Sequence, residues 1–589
     1  MQIATFKYLS NVSLQTNKTP HLKLCGSYKV VLEHPLAMEE IMVSTYQTLD
    51  GTTDVYTMDH RGTGRSHRLE CTAAQAETSG SPTNGELTPE VLSDCVQDIN
   101  TQLGGTPNSS VLSAFSTTSA AMDISALITN TNNSNTYVYG VSYGTYLVER
   151  LMQLNNTNIK GYILDGVVSQ SGSQDNKKFF LNDFDTNMGT IAESVLSLCK
   201  MDSLCMQKLG NVDFKSAFER IYKSFDMNSK DLFQCQLTVS EIDGFEKDPA
   251  KILRRVFALL LQDQKLRGFI PILVYRFLRC NMEIYHDDLI ISNFLTQFTS
   301  ILNLSDESDY YKSDILYLLI VTSELWRFPS ESIQTLFEAS SKAIISSNVT
   351  GMLPLVCIAS GAKDPNCASL LKPSNDFLLQ YPRDQYYDKA ITIPSQSSVL
   401  MLSGLLDPQT HPKYARYQFN SFVGTAKRLF EFNYSAHGTV LNSPKSWNGT
   451  TCAISLIASY IRQNGEVSTI DTTCMNQDLV NTGGYFQIDA RTAFLMFAAT
   501  NSSDLYDSLP VGIYLESAGL ASFHYMQKEV PKKNETTSID RTPMIIGFSL
   551  AGIFLITSIA LATYILIKST PKAPIYAPVL TPTDVKQPE

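Results

Sequence analysis

The pentapeptide Gly140-Val141-Ser142-Tyr143-Gly144 constrains this chain more than any other feature, because of what flanks it. Thr136–Val141 (TYVYGV) is β-branched and aromatic, as a buried strand is. After Ser142, YGTYLVERLMQL places Tyr143, Leu147, Leu151 and Leu154 near one helix face. A serine between strand and helix, with glycine two residues before and two after, predicts a sharp turn that exposes its hydroxyl at a helix N-terminus. There the helix dipole and the Tyr143 N–H stabilise developing negative charge, which makes Tyr143 the candidate oxyanion donor. Asp54–Asp59 (DVYTMD), which runs into HRGTGRS, and Lys160–Val167 (KGYILDGV) read as further strands. Strands alternating with helices predict an α/β architecture on a parallel sheet with right-handed crossovers.

From Ser169 to Thr392 the pattern changes to long helical stretches such as ILRRVFALLLQ and DILYLLIVTSELW, which predicts a mainly helical insertion. Strand patterns return at Ser397–Ser403 (SSVLMLS) and Lys427–Phe432 (KRLFEF), followed by a helix in CAISLIASYIRQNG. A nucleophilic serine needs a base, and the base needs an orienting acid. Of the 8 histidines, His286, His411, His437 and His524 follow Ser142. His286 falls in the helical insertion and His524 near a long apolar segment, whereas His437, in SAHGT, lies just past a strand. Asp407, in SGLLDPQT, follows the preceding strand, which gives the order Ser142, Asp407, His437.

These residues carry a resemblance. DHRGTGRS, YVYGVSYGTYLVERL, SGLLDPQT and SAHGT, then TCAISLIASYIRQNG…TTC, resemble the tripeptidyl and prolyl aminopeptidase-like serine hydrolases over Asp54 to Cys474. The resemblance implies an α/β-hydrolase fold with a helical cap and a Ser142–Asp407–His437 triad. It also implies a C-terminal cysteine pair matching Cys452 and Cys474, and cleavage of peptides from a free N-terminus. An acidic cap residue would hold the substrate's α-amine, and Glu324 in IVTSELW is the candidate. Asp59 and Arg61 in the DHRG turn read as structural.

One departure lies near the N-terminus. Tyr28–Leu32 (YKVVL) reads as the strand and Ala37–Leu49 as the helix after it. Only Glu33-His34-Pro35 then stands where the family has a Gly-rich loop donating the second oxyanion N–H, and proline has no N–H. The first thirty residues also hold no apolar run long enough for a signal peptide. Both observations lead to the expectation that this N-terminus is incomplete and lacks a secretory leader.

Met544–Ile567 is an apolar stretch without a charge, long enough to span a bilayer as a helix, so a single-pass membrane anchor is expected. The couples Cys71/Cys95, Cys199/Cys205, Cys357/Cys367 and Cys452/Cys474 suggest disulfides, with connectivity open, and an oxidising compartment. Eleven Asn-x-Ser/Thr sequons agree with a lumenal or extracellular body. A net charge of −11 lacks the basic surface that nucleic-acid binding needs.

The expected organisation is then as follows. Residues 1–168 form the first part of an α/β-hydrolase core, 169–392 the cap and 393–526 the second part of the core. Residues 527–543 form a stalk, 544–567 the transmembrane helix and 568–589 a polar tail. The leading functional reading is a serine exopeptidase of the aminopeptidase type, acting on a peptide substrate without metal or organic cofactor. An esterase or lipase, or a catalytically impaired binding protein, are the alternatives. Substrate preference and oligomeric state are left open.

Overall fold

The computed structural model describes residues 5–7, 21–25, 35–64, 66–71, 87–107, 109–131, 133–170, 177–226, 235, 249–304, 313–445, 449–476, 485–486, 488, 490–497 and 505–508. The chain divides into two units, Met1–Leu520 and Ala521–Glu589, and everything described belongs to the first. The stalk, the polar tail and Met544–Ile567 lie outside the described residues. Among the described residues, no helix is long and apolar enough to cross a membrane.

Seven strands form one sheet: β1 Thr5–Lys7, β2 His21–Cys25, β3 Asp54–Met58, β4 Thr136–Val141, β5 Ile159–Asp165, β6 Ser398–Gly404 and β7 Lys427–Phe432. Their order is β1-β3-β2-β4-β5-β6-β7, with β1 antiparallel to β3 and every other pair parallel. The order reverses around β2, and in open parallel sheets such a reversal places a crevice at the strands' carboxyl ends.

His21–Cys25 is strand β2, with Leu22 paired to both Val55 and Tyr137, and Tyr28–Leu32, read from the sequence as a strand, lies outside the described residues. The connection to helix α1, Pro35–Thr48, is therefore residues 26–34, a stretch that contains Gly26 and lies outside the described residues.

The two-residue alternation of the strands splits the core into two faces. Val138, Val399 and Met401 point to the face covered by helices α2 (Pro89–Gln102), α3 (Thr117–Thr131) and α4 (Tyr143–Gln153). Tyr137, Tyr139, Leu400 and Leu402 point to the other, covered by α1 and by a helix at Cys452–Arg462. Strands β4 and β6 are buried along their whole length, which explains their unbroken apolar sequences.

Between β5 and β6 all described elements are helical, as expected for the insertion. Its first half has a core of its own around Phe218, Phe257, Phe269 and Phe294. Its second half, from Ile315 to Ile391, packs into the sheet's own core through Leu316, Trp326, Leu353 and Val356. The last described segment also departs from expectation: Phe486, Phe497 and Leu505, placed by sequence with the second part of the core, are buried in the insertion's cluster.

Disulfides join Cys199–Cys205, Cys357–Cys367, Cys452–Cys474 and, beyond the local couples, Cys235–Cys280. Cys71 and Cys95 form no disulfide here. Both thiols are buried, and the hydrogen bond between them, with burial, raises the Cys95 pKa.

Candidate active site

Ser142 ends the turn from β4 into α4 at φ 56° and ψ −128°, a backbone region that side-chain-bearing residues occupy only under constraint. Three contacts supply it. The Ser142 N–H donates to the Asp165 carbonyl at 3.0 Å, and the Ser142 carbonyl accepts from the Thr145 amide and hydroxyl at 2.9 and 2.7 Å. The third is steric: a Cβ on Gly140 would lie 2.3 Å from the Gly144 carbonyl oxygen, so the close approach of strand and helix requires glycine there. Tyr143 opens α4, where a helix's first N–H groups have no intrahelical acceptor.

Asp407 follows β6 and His437 follows β7, and the two side chains meet: His437 Nδ1 lies 2.7 Å from Asp407 Oδ2. The amides of Gln409 and Thr410 donate to Asp407 Oδ1 at 2.8 and 2.9 Å, and the Thr410 hydroxyl donates to Oδ2 at 2.7 Å. Thr410 Oγ1 also lies 3.2 Å from His437 Nδ1. Asp407 is fully buried, with its lone pairs occupied by this set.

Asp165 and the glycine after it, neither of which sequence reasoning singled out, link the Ser142 backbone to the loop that carries His437. While the Asp165 carbonyl holds the Ser142 amide, its carboxylate accepts from the Thr439 amide and hydroxyl, both at 2.9 Å, from the Val440 amide at 3.0 Å and from the Tyr139 hydroxyl at 3.1 Å. Burial raises the Asp165 pKa, and the bonds from Thr439 and Val440 pull it back. A Cβ on Gly166, whose φ is +63°, would lie 2.8 Å from His437 Cε1, so the ring packs directly on this backbone. The insertion grips the same loop: Gln264 Oε1 accepts from the Ala436 amide at 2.8 Å and Arg267 donates to the Tyr434 carbonyl at 2.6 Å.

Ser142, Tyr143, Val168, Gln409 and Thr410 line a cavity of about 330 Å³ whose remaining wall comes from the insertion and is mostly apolar, including Phe179, Phe184, Leu259, Ile320 and Met352. No aspartate or glutamate is among its described lining residues.

Glu324 does not occupy the place foreseen for it. It lies on a widened helical turn, Val321–Leu325, whose Val321 and Leu325 do line the cavity. Its own carboxylate turns the other way, onto α4. There it accepts from Arg150 at 2.6 Å, from the Tyr146 hydroxyl at 2.8 Å and from the Tyr381 hydroxyl at 2.7 Å. A buried carboxylate beside a buried guanidinium is held by that pairing and is not available to a substrate amine. Arg61 is structural as read, with two 2.6 Å bonds to Asp123 on α3.

Residues 45–205 match the family model described as alpha/beta hydrolase fold. No curated protein matches the chain. Solved structures to which it is similar include an esterase, EaEST, from Exiguobacterium antarcticum, 10% identical over 74% of this chain and 90% of that one, with a TM-score of 0.27. A monoacylglycerol lipase from Paleococcus ferrophilus is 12% identical over 79% and 100% of the two chains, with a TM-score of 0.25. An epoxide hydrolase from Bacillus megaterium is 8% identical over 74% and 90%, with a TM-score of 0.27. The matched family model and the strand order of the sheet together give this chain an α/β-hydrolase fold.

Proposed function

We propose that this protein is a serine hydrolase working through an acyl-enzyme, with Ser142 as nucleophile, His437 as general base and acid, and Asp407 orienting His437. Ser142 Oγ attacks the acyl carbonyl and its proton passes to His437 Nε2. The bond to the leaving group breaks, and that group takes the proton from His437. Water then attacks the acyl-serine, again giving a proton to His437, and releases the acid with Ser142 restored. The Tyr143 N–H supplies one oxyanion contact. The observation that carries this reading is the pairing of His437 with Asp407, on a loop that the Asp165 carboxylate ties down through Thr439 and Val440 while the Asp165 carbonyl accepts from the Ser142 amide.

For the substrate, an ester with an apolar acyl group fits better than a peptide with a free α-amine. The cavity wall is apolar and its described residues include no carboxylate to meet an ammonium, while Glu324 is engaged by Arg150. An exopeptidase remains the second reading, resting on the motif resemblance. We further propose, from the disulfides and sequons, that the body faces an oxidising compartment and is anchored through Met544–Ile567.

A fluorophosphonate probe should label the wild type and leave Ser142→Ala unlabelled; equal labelling would remove the nucleophile assignment. Given matched substrates, the wild type should hydrolyse a p-nitrophenyl acyl ester and show no preference for a free over an N-acetylated peptide amide. A strong preference for the free amine would restore the aminopeptidase reading.

A further inference from the structure

The insertion helix at Pro249–Gln262 presents one face to the cavity: Arg255, Ala258, Leu259 and Gln262, spaced three, four and seven residues from the first, all line it. The neighbouring positions serve other ends. Leu253, Val256, Phe257 and Leu260 are buried in the insertion's core, and Arg254 lies over the Tyr222 ring at 3.8 Å and donates to the Ala343 carbonyl at 3.2 Å. Arg254 is thus committed to the fold, whereas Arg255, one residue on, is turned to the cavity.

Arg255 is the one charged side chain among the cavity's described lining residues. It is exposed, and no ion pair or hydrogen bond ties it to another described residue. A lone guanidinium at the edge of an apolar chamber favours a ligand that fills the chamber with hydrocarbon and ends in an anion, because the apolar wall lowers the local dielectric between the two charges. The same charge disfavours an ammonium group.

We infer that Arg255 is a specificity residue for acyl substrates that carry a carboxylate at the end of an apolar segment, the acyl carbonyl lying at Ser142 and the carboxylate at Arg255. This inference rests on the proposed serine hydrolase reading and deepens it, since it names the class of acyl group that the site prefers.

The test uses mono-p-nitrophenyl esters of straight-chain dicarboxylic acids of increasing length, each paired with its methyl-capped neutral counterpart, and reads the ratio of the two kcat/KM values. The wild type should favour the anionic member at a best chain length. A pair at a solvent-reached site is weak, so the preference should be about three- to tenfold at low salt and should shrink toward unity as salt rises. Arg255→Lys should keep part of the ratio, Arg255→Gln should bring it to about one, and Arg255→Glu should reverse it. Because each variant is compared with itself on the neutral ester, a change in folded fraction cancels. If the ratio is the same in wild type, Arg255→Gln and Arg255→Glu, the inference is wrong while the hydrolase reading stands. If the wild type cleaves no ester of either kind, the hydrolase reading itself has failed.

Discussion

Asp165 sits at the end of β5 with its carbonyl on the Ser142 amide and its carboxylate on the loop after His437, so one residue ties the two proposed catalytic positions to the same strand end. Asp165→Asn keeps the shape but replaces one acceptor oxygen by a donor that faces either the Thr439 or the Val440 amide. The loop should shift, and a displacement of about 1 Å at a catalytic group lowers turnover about 10²-fold. Steady-state kinetics on protein with wild-type circular dichroism should therefore show a fall mainly in kcat; an unchanged kcat would mean that the loop is held by other contacts. Glu324 belongs to a different class. Glu324→Gln removes the nearer of the two carboxylates beside Arg150, whose side chain is 1% exposed, leaving only Asp384 at 3.7 Å, and weakening such a buried pair costs up to about 3–5 kcal/mol. The expected result is a lower Tm with no new discrimination between free and acetylated peptides. Glu149, fully buried in α4, carries a pKa raised well above its ordinary 4.5 by burial, with Gln170 and Arg150 pulling it partly back. A carboxyl whose folded pKa is raised binds its proton more tightly in the fold than in the unfolded chain. Stability is then full below the unfolded value and falls as pH rises from there toward the folded value. Tm measured between about pH 5 and pH 8 should decline in the wild type and stay flatter in Glu149→Gln.

At the scale of elements, the turn from β4 into α4 was legible because its requirements are local. Gly140, Ser142 and Gly144 stand within five residues, and the strand and helix patterns adjoin them. The helical insertion was legible as helices but not as a partner of particular surfaces, because an apolar helix face does not name what covers it. Leu316 and Leu353 went to the sheet's core while Phe257 and Phe269 formed a separate one. The clasp between the insertion and the last described segment was not visible at all. Arg276 and Arg279 both pair with Asp287, at 2.9 and 2.7 Å, Arg279 also pairs with Asp507, and Arg276 donates to the Leu505 carbonyl at 2.6 Å. Asp287 and Arg276 are fully buried, so Asp287→Leu leaves guanidinium charge without its partner and should destabilise by about 3–5 kcal/mol. Limited proteolysis should then cut near residues 505–508, where the wild type resists; equal resistance would show that the clasp contributes little.

Over the whole molecule, disulfides lie in both the insertion and the sheet's layers, with Cys199–Cys205 and Cys235–Cys280 in the first and Cys452–Cys474 in the second. If the body faces an oxidising compartment, as proposed, endoglycosidase treatment of the full-length protein expressed in a secretory host should lower its apparent mass. An unglycosylated chain open to cytosolic protease would overturn that placement. By itself the sequence determined the strand–turn–helix around Ser142, the strand ends that carry Asp407 and His437, and the helical character of the insertion. Each follows from periodicity and from residue types a few positions apart, and such local chemistry does not depend on distant partners. Only the tertiary structure decided that Asp165 joins the Ser142 backbone to the loop after His437, and that Arg255 turns to the cavity while Glu324 turns away. Those outcomes hang on contacts between residues as far apart as Arg150 and Glu324, where neighbouring side chains on one helical turn face opposite surroundings and no spacing in the chain records which surroundings each will meet.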